Sequence, residues 1–100
     1  MVINWSDFAQ ENLKNFIKIT KIQNLSEYID NLFNFTNTLI ENNYLGKHII
    51  TLNSHEIRQL IFKKHKILYC INNNEIRILA LIHSSQNYTS MLKEMIKYLF

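Results

Sequence analysis

The side chains able to do chemistry gather in the second half of the chain. His83 ends an apolar run, and an imidazole there suits a general acid or base near neutral pH. The plainer reading, which we favour, is a hydrogen-bonded histidine closing a strand. Tyr88 has the ring to stack on a base and the hydroxyl to give a proton, yet an aromatic capping a last helix is the commoner use. Lys63, Lys64, His65 and Lys66 form the densest basic cluster. It suits a phosphate backbone, an acidic partner or simply a solvated turn. Arg58 is mid-strand, where a guanidinium needs a carboxylate or carbonyl, with Glu56 and Glu75 as the nearest candidates. His48, His55, His65 and His83 lack ligand-pair spacing and cysteine support, so no metal is expected, and no cofactor either.

Composition narrows the class. The chain has 100 residues, 47% hydrophobic and 19% charged, which is globular rather than disordered. That length fits one domain, residues 1–100. Sixteen Ile, fourteen Asn and nine Lys stand against two Arg, the signature of AT-rich coding in which Lys replaces Arg. The lone Cys70 excludes an internal disulfide, and no secretory signal is visible, so a cytoplasmic setting is expected. No apolar run approaches the ~20 residues that span a bilayer. A net charge of +3 permits an acidic protein or nucleic acid partner without requiring either.

Periodicity supplies the elements. Residues 2–5 read as a short strand. Ser6 and Asp7 then open an amphipathic helix to about residue 20, with Phe8, Ala9, Leu13, Phe16 and Ile17 on its apolar side. A second helix starts at Asn24 or Ser26 and fades near residue 43, where Gly46 marks a chain reversal. Its stripe is wide, flanked by Phe33 and Phe35. Strand-like runs follow at 48–53, 57–62, 66–71 and 75–83. Asn72-Asn73-Asn74 turns the last two into a hairpin. Met91, Leu92, Met95, Ile96 and Leu99 line a closing helix. Together these give an α+β domain: an N-terminal strand and two-helix hairpin packed on an antiparallel β-sheet, with a C-terminal helix.

In this order the chain resembles the RelE/ParE superfamily, the toxins of bacterial type II toxin–antitoxin systems. Ile49-Ile50-Thr51-Leu52-Asn53 resembles the family's "VPELN"-like start of the sheet, and Ile57-Arg58-Gln59-Leu60 its "IREL". The run from His65 through Ile71 stands where "YRIIYRV" does, and the run from Glu75 through His83 resembles "VEILRVLH". Tyr88 falls where many members carry a tyrosine. Lys66 stands for the usual arginine and keeps its charge. Cys70, Ala80 and the stretch Ser84-Ser85-Gln86-Asn87 lose charges that the family commonly carries.

The resemblance implies one of two activities. RelE-like members cut messenger RNA, commonly on the ribosome, for which Lys66, His83, Tyr88 and Arg58 are the candidates here. ParE-like members poison DNA gyrase by protein contact. By family analogy the sheet face bearing Lys66 and Ala80 turns away from the helices. Strand alternation gives that face Leu68, Cys70, Ile78, Ala80 and Ile82, an open apolar surface suited to protein rather than RNA. The expectation is therefore a ParE-like toxin that arrests bacterial growth as a gyrase inhibitor and is held by a cognate antitoxin. Antitoxin-binding candidates are Phe33, Phe35, Leu68, Ile78, Ala80 and Ile82, with Lys63, Lys64 and Lys66 as a basic patch. The alternatives are a RelE-like ribonuclease acting on the ribosome and its mRNA, and a degenerate, non-toxic binding member. A membrane partner is not expected.

Overall fold

The computed structural model describes every residue except Tyr98 and Phe100. Strand β1 (Val2–Trp5) leads into helix α1 (Asp7–Ile19) and helix α2 (Leu25–Glu41). A meander follows: β2 (Lys47–Leu52), β3 (His55–Phe62), β4 (His65–Asn72) and β5 (Glu75–His83). A 3-10 turn (Tyr88–Met91) and a short helix α3 (Leu92–Ile96) close the described chain. The α+β class, the two leading helices and the meander agree with the sequence reading.

Ser6 starts α1 as its spacing predicts. Its hydroxyl accepts the Ala9 N–H at 3.0 Å and donates to the Leu79 carbonyl at 3.1 Å, so one side chain caps the helix and ties it to the sheet. A cap of this kind contributes about 1 kcal/mol. Asn24 precedes α2 in the left-handed region (φ 56°) without a side-chain cap bond.

The sheet order is β1-β5-β4-β3-β2, antiparallel except for β1, which runs parallel to β5. Because β1 covers only Glu75–Ile78 of β5, the outer edge of β5 beyond it needs other partners. Helix α1 supplies them: besides Ser6, Asn12 Oδ1 accepts the Leu81 N–H at 3.0 Å.

Two cores result. Ala9, Leu32, Leu39, Leu60, Ile67, Tyr69, Ile76, Ile78 and Leu81 are buried between the sheet and the α1–α2 hairpin. On the opposite face Ile57, Leu68, Cys70, Leu79, Ala80 and Ile82 are buried with Met95 and Leu99. One irregularity decides which residues of β5 face where. A bulge makes Leu68 oppose Ala80 while Tyr69 opposes Ile78, leaving Leu79 as the extra residue on β5.

Gly46 departs from its expected role. It has no positive φ; the left-handed positions belong to Asn24, Asn53, Ser54, Lys63 and Asn73. Glycine is needed there for close approach instead. A Cβ would lie 2.6 Å from Tyr69 Cε1 and 2.8 Å from its hydroxyl oxygen. That hydroxyl accepts the Gly46 N–H at 2.8 Å and donates to the Asn43 carbonyl at 2.9 Å, which anchors the α2–β2 connection over the sheet.

Candidate functional site

The sheet face turned away from α1 and α2 is apolar, as alternation predicts, but it is not open. Leu68, Cys70 and Ala80 are fully buried and Ile82 is 2% exposed. Met95 and Leu99 pack directly over them, with Tyr88 and Met91 at the margin. The C-terminal segment therefore occupies the surface that alternation alone presents as open, as the methionine-rich stripe of the closing helix allows. Ile78 is corrected as well: the bulge at Leu79 shifts it into the helix-side core, where it cannot share a face with Ala80.

Charge on this face stands at its ends. Lys66 pairs in register with Ile82, and its ammonium donates to the Gln86 carbonyl at 2.9 Å. Arg77 lies at the other end, 3.4 Å from the Glu75 carboxylate. Cys70 lies between them in an apolar setting, where burial pushes its thiol up to about 11. A thiol held that high stays protonated and unreactive near neutral pH.

His83 is exposed at the end of β5 and folded into its own loop. Its Nδ1 lies 2.7 Å from Ser85 Oγ and accepts the Ser85 N–H at 3.1 Å, while its backbone N–H donates to Gln86 Oε1 at 2.9 Å. Tyr88 begins the 3-10 turn, whose N-cap is Asn87, and its ring is half-buried against the second core. Lys66 and His83 thus share one end of the sheet. Both are engaged by the 84–87 loop, and Tyr88 takes the capping position.

Arg58 is a structural tie. Its Nη1 donates to the Gly46 carbonyl at 2.7 Å, its Nη2 lies 3.7 Å from Glu56, and the guanidinium stacks 4.8 Å from the Tyr44 ring centre. Of the two expected carboxylates it meets Glu56; Glu75 serves Arg77. Lys63 sits at the β3–β4 turn with its ammonium 5.5 Å from the Phe62 ring centre and 5.8 Å from that of Tyr28. Phe35 is half-buried, its ring 5.2 Å from Phe62. Phe33 is exposed at 36%, edge-on to Trp5 at 5.2 Å.

Sequence reasoning missed one buried polar pair. His65, counted above as part of a basic cluster, is only 4% exposed. Its Nδ1 lies 2.7 Å from the Tyr28 hydroxyl, and its ring stands edge-on to Phe16 at 4.4 Å. Which of the two donates follows from the imidazole tautomer. Burial lowers His65 to about 4, with the positive charge of His83 and Lys64 adding to the effect. Part of the signal was available: Phe16 lies on the predicted apolar side of α1 and must face something. Among the described residues no group of three or more His, Cys, Asp or Glu could hold a metal ion, and no described helix is long and apolar enough to cross a membrane.

A helical hairpin on a five-stranded sheet, with a C-terminal segment on the far face, defines a RelE/ParE-type toxin fold. The profile described as ParE toxin of type II toxin–antitoxin system, parDE, matches residues 3–88. The chain belongs to that ParE toxin family. No curated protein matches it. The match takes in both helices and the whole meander and stops at Tyr88, where the C-terminal segment begins.

Proposed function

We propose that this type II toxin arrests bacterial growth by poisoning DNA gyrase through protein contact, and that a cognate antitoxin neutralises it in the cytoplasm. One observation carries the reading: the second sheet face is hydrocarbon, and the cations near it are already engaged. Cutting RNA requires a base, a charge stabiliser and an acid to converge on one phosphate. Lys66 instead holds the Gln86 carbonyl, His83 holds Ser85, and Tyr88 is packed as a cap. A protein target needs no such convergence.

The antitoxin is proposed to dock on Leu68, Ala80 and Ile82 by taking the place of the 3-10 turn and α3. Met91 and Met95 suit a reversible cover, since methionine adapts to alternative packings. Ile78 and Phe35 leave the docking set because both belong to the helix-side packing. The test offers the purified toxin both targets. Inhibited gyrase supercoiling with intact ribosome-bound transcripts supports the proposal. Cleaved transcripts with normal supercoiling would make the protein a ribonuclease, and loss of neither activity would make it a binding member only.

A further inference from the structure

Helix α1 carries its exposed charges in two blocks. Asp7 and Glu11 stand one turn apart in its first half, Lys14 and Lys18 one turn apart in its second. The macrodipole favours acid first and base last. Like charges at i,i+4 repel within each block, and the one supporting opposite-sign spacing on the stripe is Glu11 to Lys14 at i,i+3. None of the four belongs to an ion pair among the described residues. Beside this stripe lies an apolar groove of about 320 Å³ between α1 and α2, lined chiefly by Trp5, Leu13, Ile17 and Phe33. Ile17 is 39% exposed and Phe33 36%.

A two-fold contact needs a surface that complements itself when reversed. The stripe does so: acid, acid, base, base read backwards is base, base, acid, acid. We propose that a second copy of this chain docks here, with the two α1 helices antiparallel. Asp7 and Glu11 of each copy then face Lys18 and Lys14 of the other, and the grooves meet beside them. A uniformly acidic partner would be drawn to Lys14 and Lys18 but repelled by Asp7 and Glu11, whereas a second copy satisfies both halves. Thirteen residues of helix extend about 20 Å. The contact is therefore smaller than the roughly 800 Å² per partner of a standard interface, and it predicts a weak, salt-sensitive dimer.

Sedimentation equilibrium at low salt tests this without reference to activity. The wild-type chain is expected to approach twice 12.0 kDa at high protein concentration and to dissociate as salt rises. The variants K14E/K18E and D7K/E11K, each with a single-sign stripe, are expected to remain monomeric. Mixed in equal amounts, they should recover the dimer mass. Circular dichroism melts confirm that both variants fold, and Phe33→Ser should weaken the dimer roughly tenfold through the groove alone. A wild-type chain that stays at 12.0 kDa throughout, variants that still self-associate, or a mixture that stays monomeric would each overturn the proposal. So would K14E/K18E losing antitoxin affinity while the wild type alone remains monomeric, since the surface would then belong to the antitoxin.

Discussion

Acid should loosen this protein through one side chain. His65 sits under α1 and α2, its ring against Phe16 and its Nδ1 on the Tyr28 hydroxyl. Folded, it is held near 4, below its ordinary 6.5. Unfolding releases it into water, where it takes up a proton as the pH falls through 6.5. The unfolded state therefore binds more protons than the folded state between these two values, and stability must fall with pH in that window. The contribution is complete above 6.5 and gone below about 4. At about 1.4 kcal/mol per pH unit the whole window amounts to about 3 kcal/mol, of which roughly 2 kcal/mol is lost by about pH 5. For a domain of this size that lowers the melting temperature by roughly 10 °C. The assay is thermal or urea denaturation between about pH 8 and about pH 5, on the wild type and His65→Phe. The variant starts less stable, because the Tyr28 hydroxyl loses its partner at a cost of about 1–3 kcal/mol, but its profile should be flatter by the His65 contribution. Parallel profiles for the two proteins would refute the reasoning.

Three further outcomes follow from the packing. Gly46→Ala drives a methyl group into Tyr69 and breaks the hydroxyl bonds at Gly46 and Asn43, so it should cost about 2–4 kcal/mol in urea denaturation. Cys70 should resist iodoacetamide in the native protein at mildly alkaline pH and react once denatured, as mass spectrometry would register. Deleting residues 89–100 removes Met95 and Leu99 from the second core, so the free toxin should lose at least the 2–5 kcal/mol of one large-to-small core change. If the antitoxin replaces this segment, its affinity measured by calorimetry should stay unchanged or rise, and a large loss of affinity would count against displacement.

The helices and strands were legible because each announces itself locally. Ser6 capping α1, the periodic stripe of α2 and the Asn73 turn need no knowledge of the rest of the fold. What escaped depends on contacts between distant residues. The bulge at Leu79 follows no local breaker, and it alone moves Ile78 to the other face from Ala80. Gly46 looked like a turn glycine because nothing near it in sequence reveals that Tyr69, twenty-three residues on, lies against its Cα. The closing helix was visible as a methionine-rich stripe, but whether it covers the sheet face or leaves it bare is a matter of tertiary docking. His65 was read with Lys63, Lys64 and Lys66 because they are adjacent. Alternation turns it instead toward Phe16 and Tyr28 while Lys66 faces the other side. The family was legible from the order of weak local matches, none of which is diagnostic alone.

The most direct test of the proposed function presents one preparation of the toxin to purified gyrase and to ribosomes programmed with messenger RNA. The apolar second face and the engaged Lys66 and His83 predict dose-dependent loss of supercoiling with transcripts left intact. Transcripts cut at defined positions, abolished by Lys66→Ala or His83→Ala while supercoiling proceeds normally, would contradict the account.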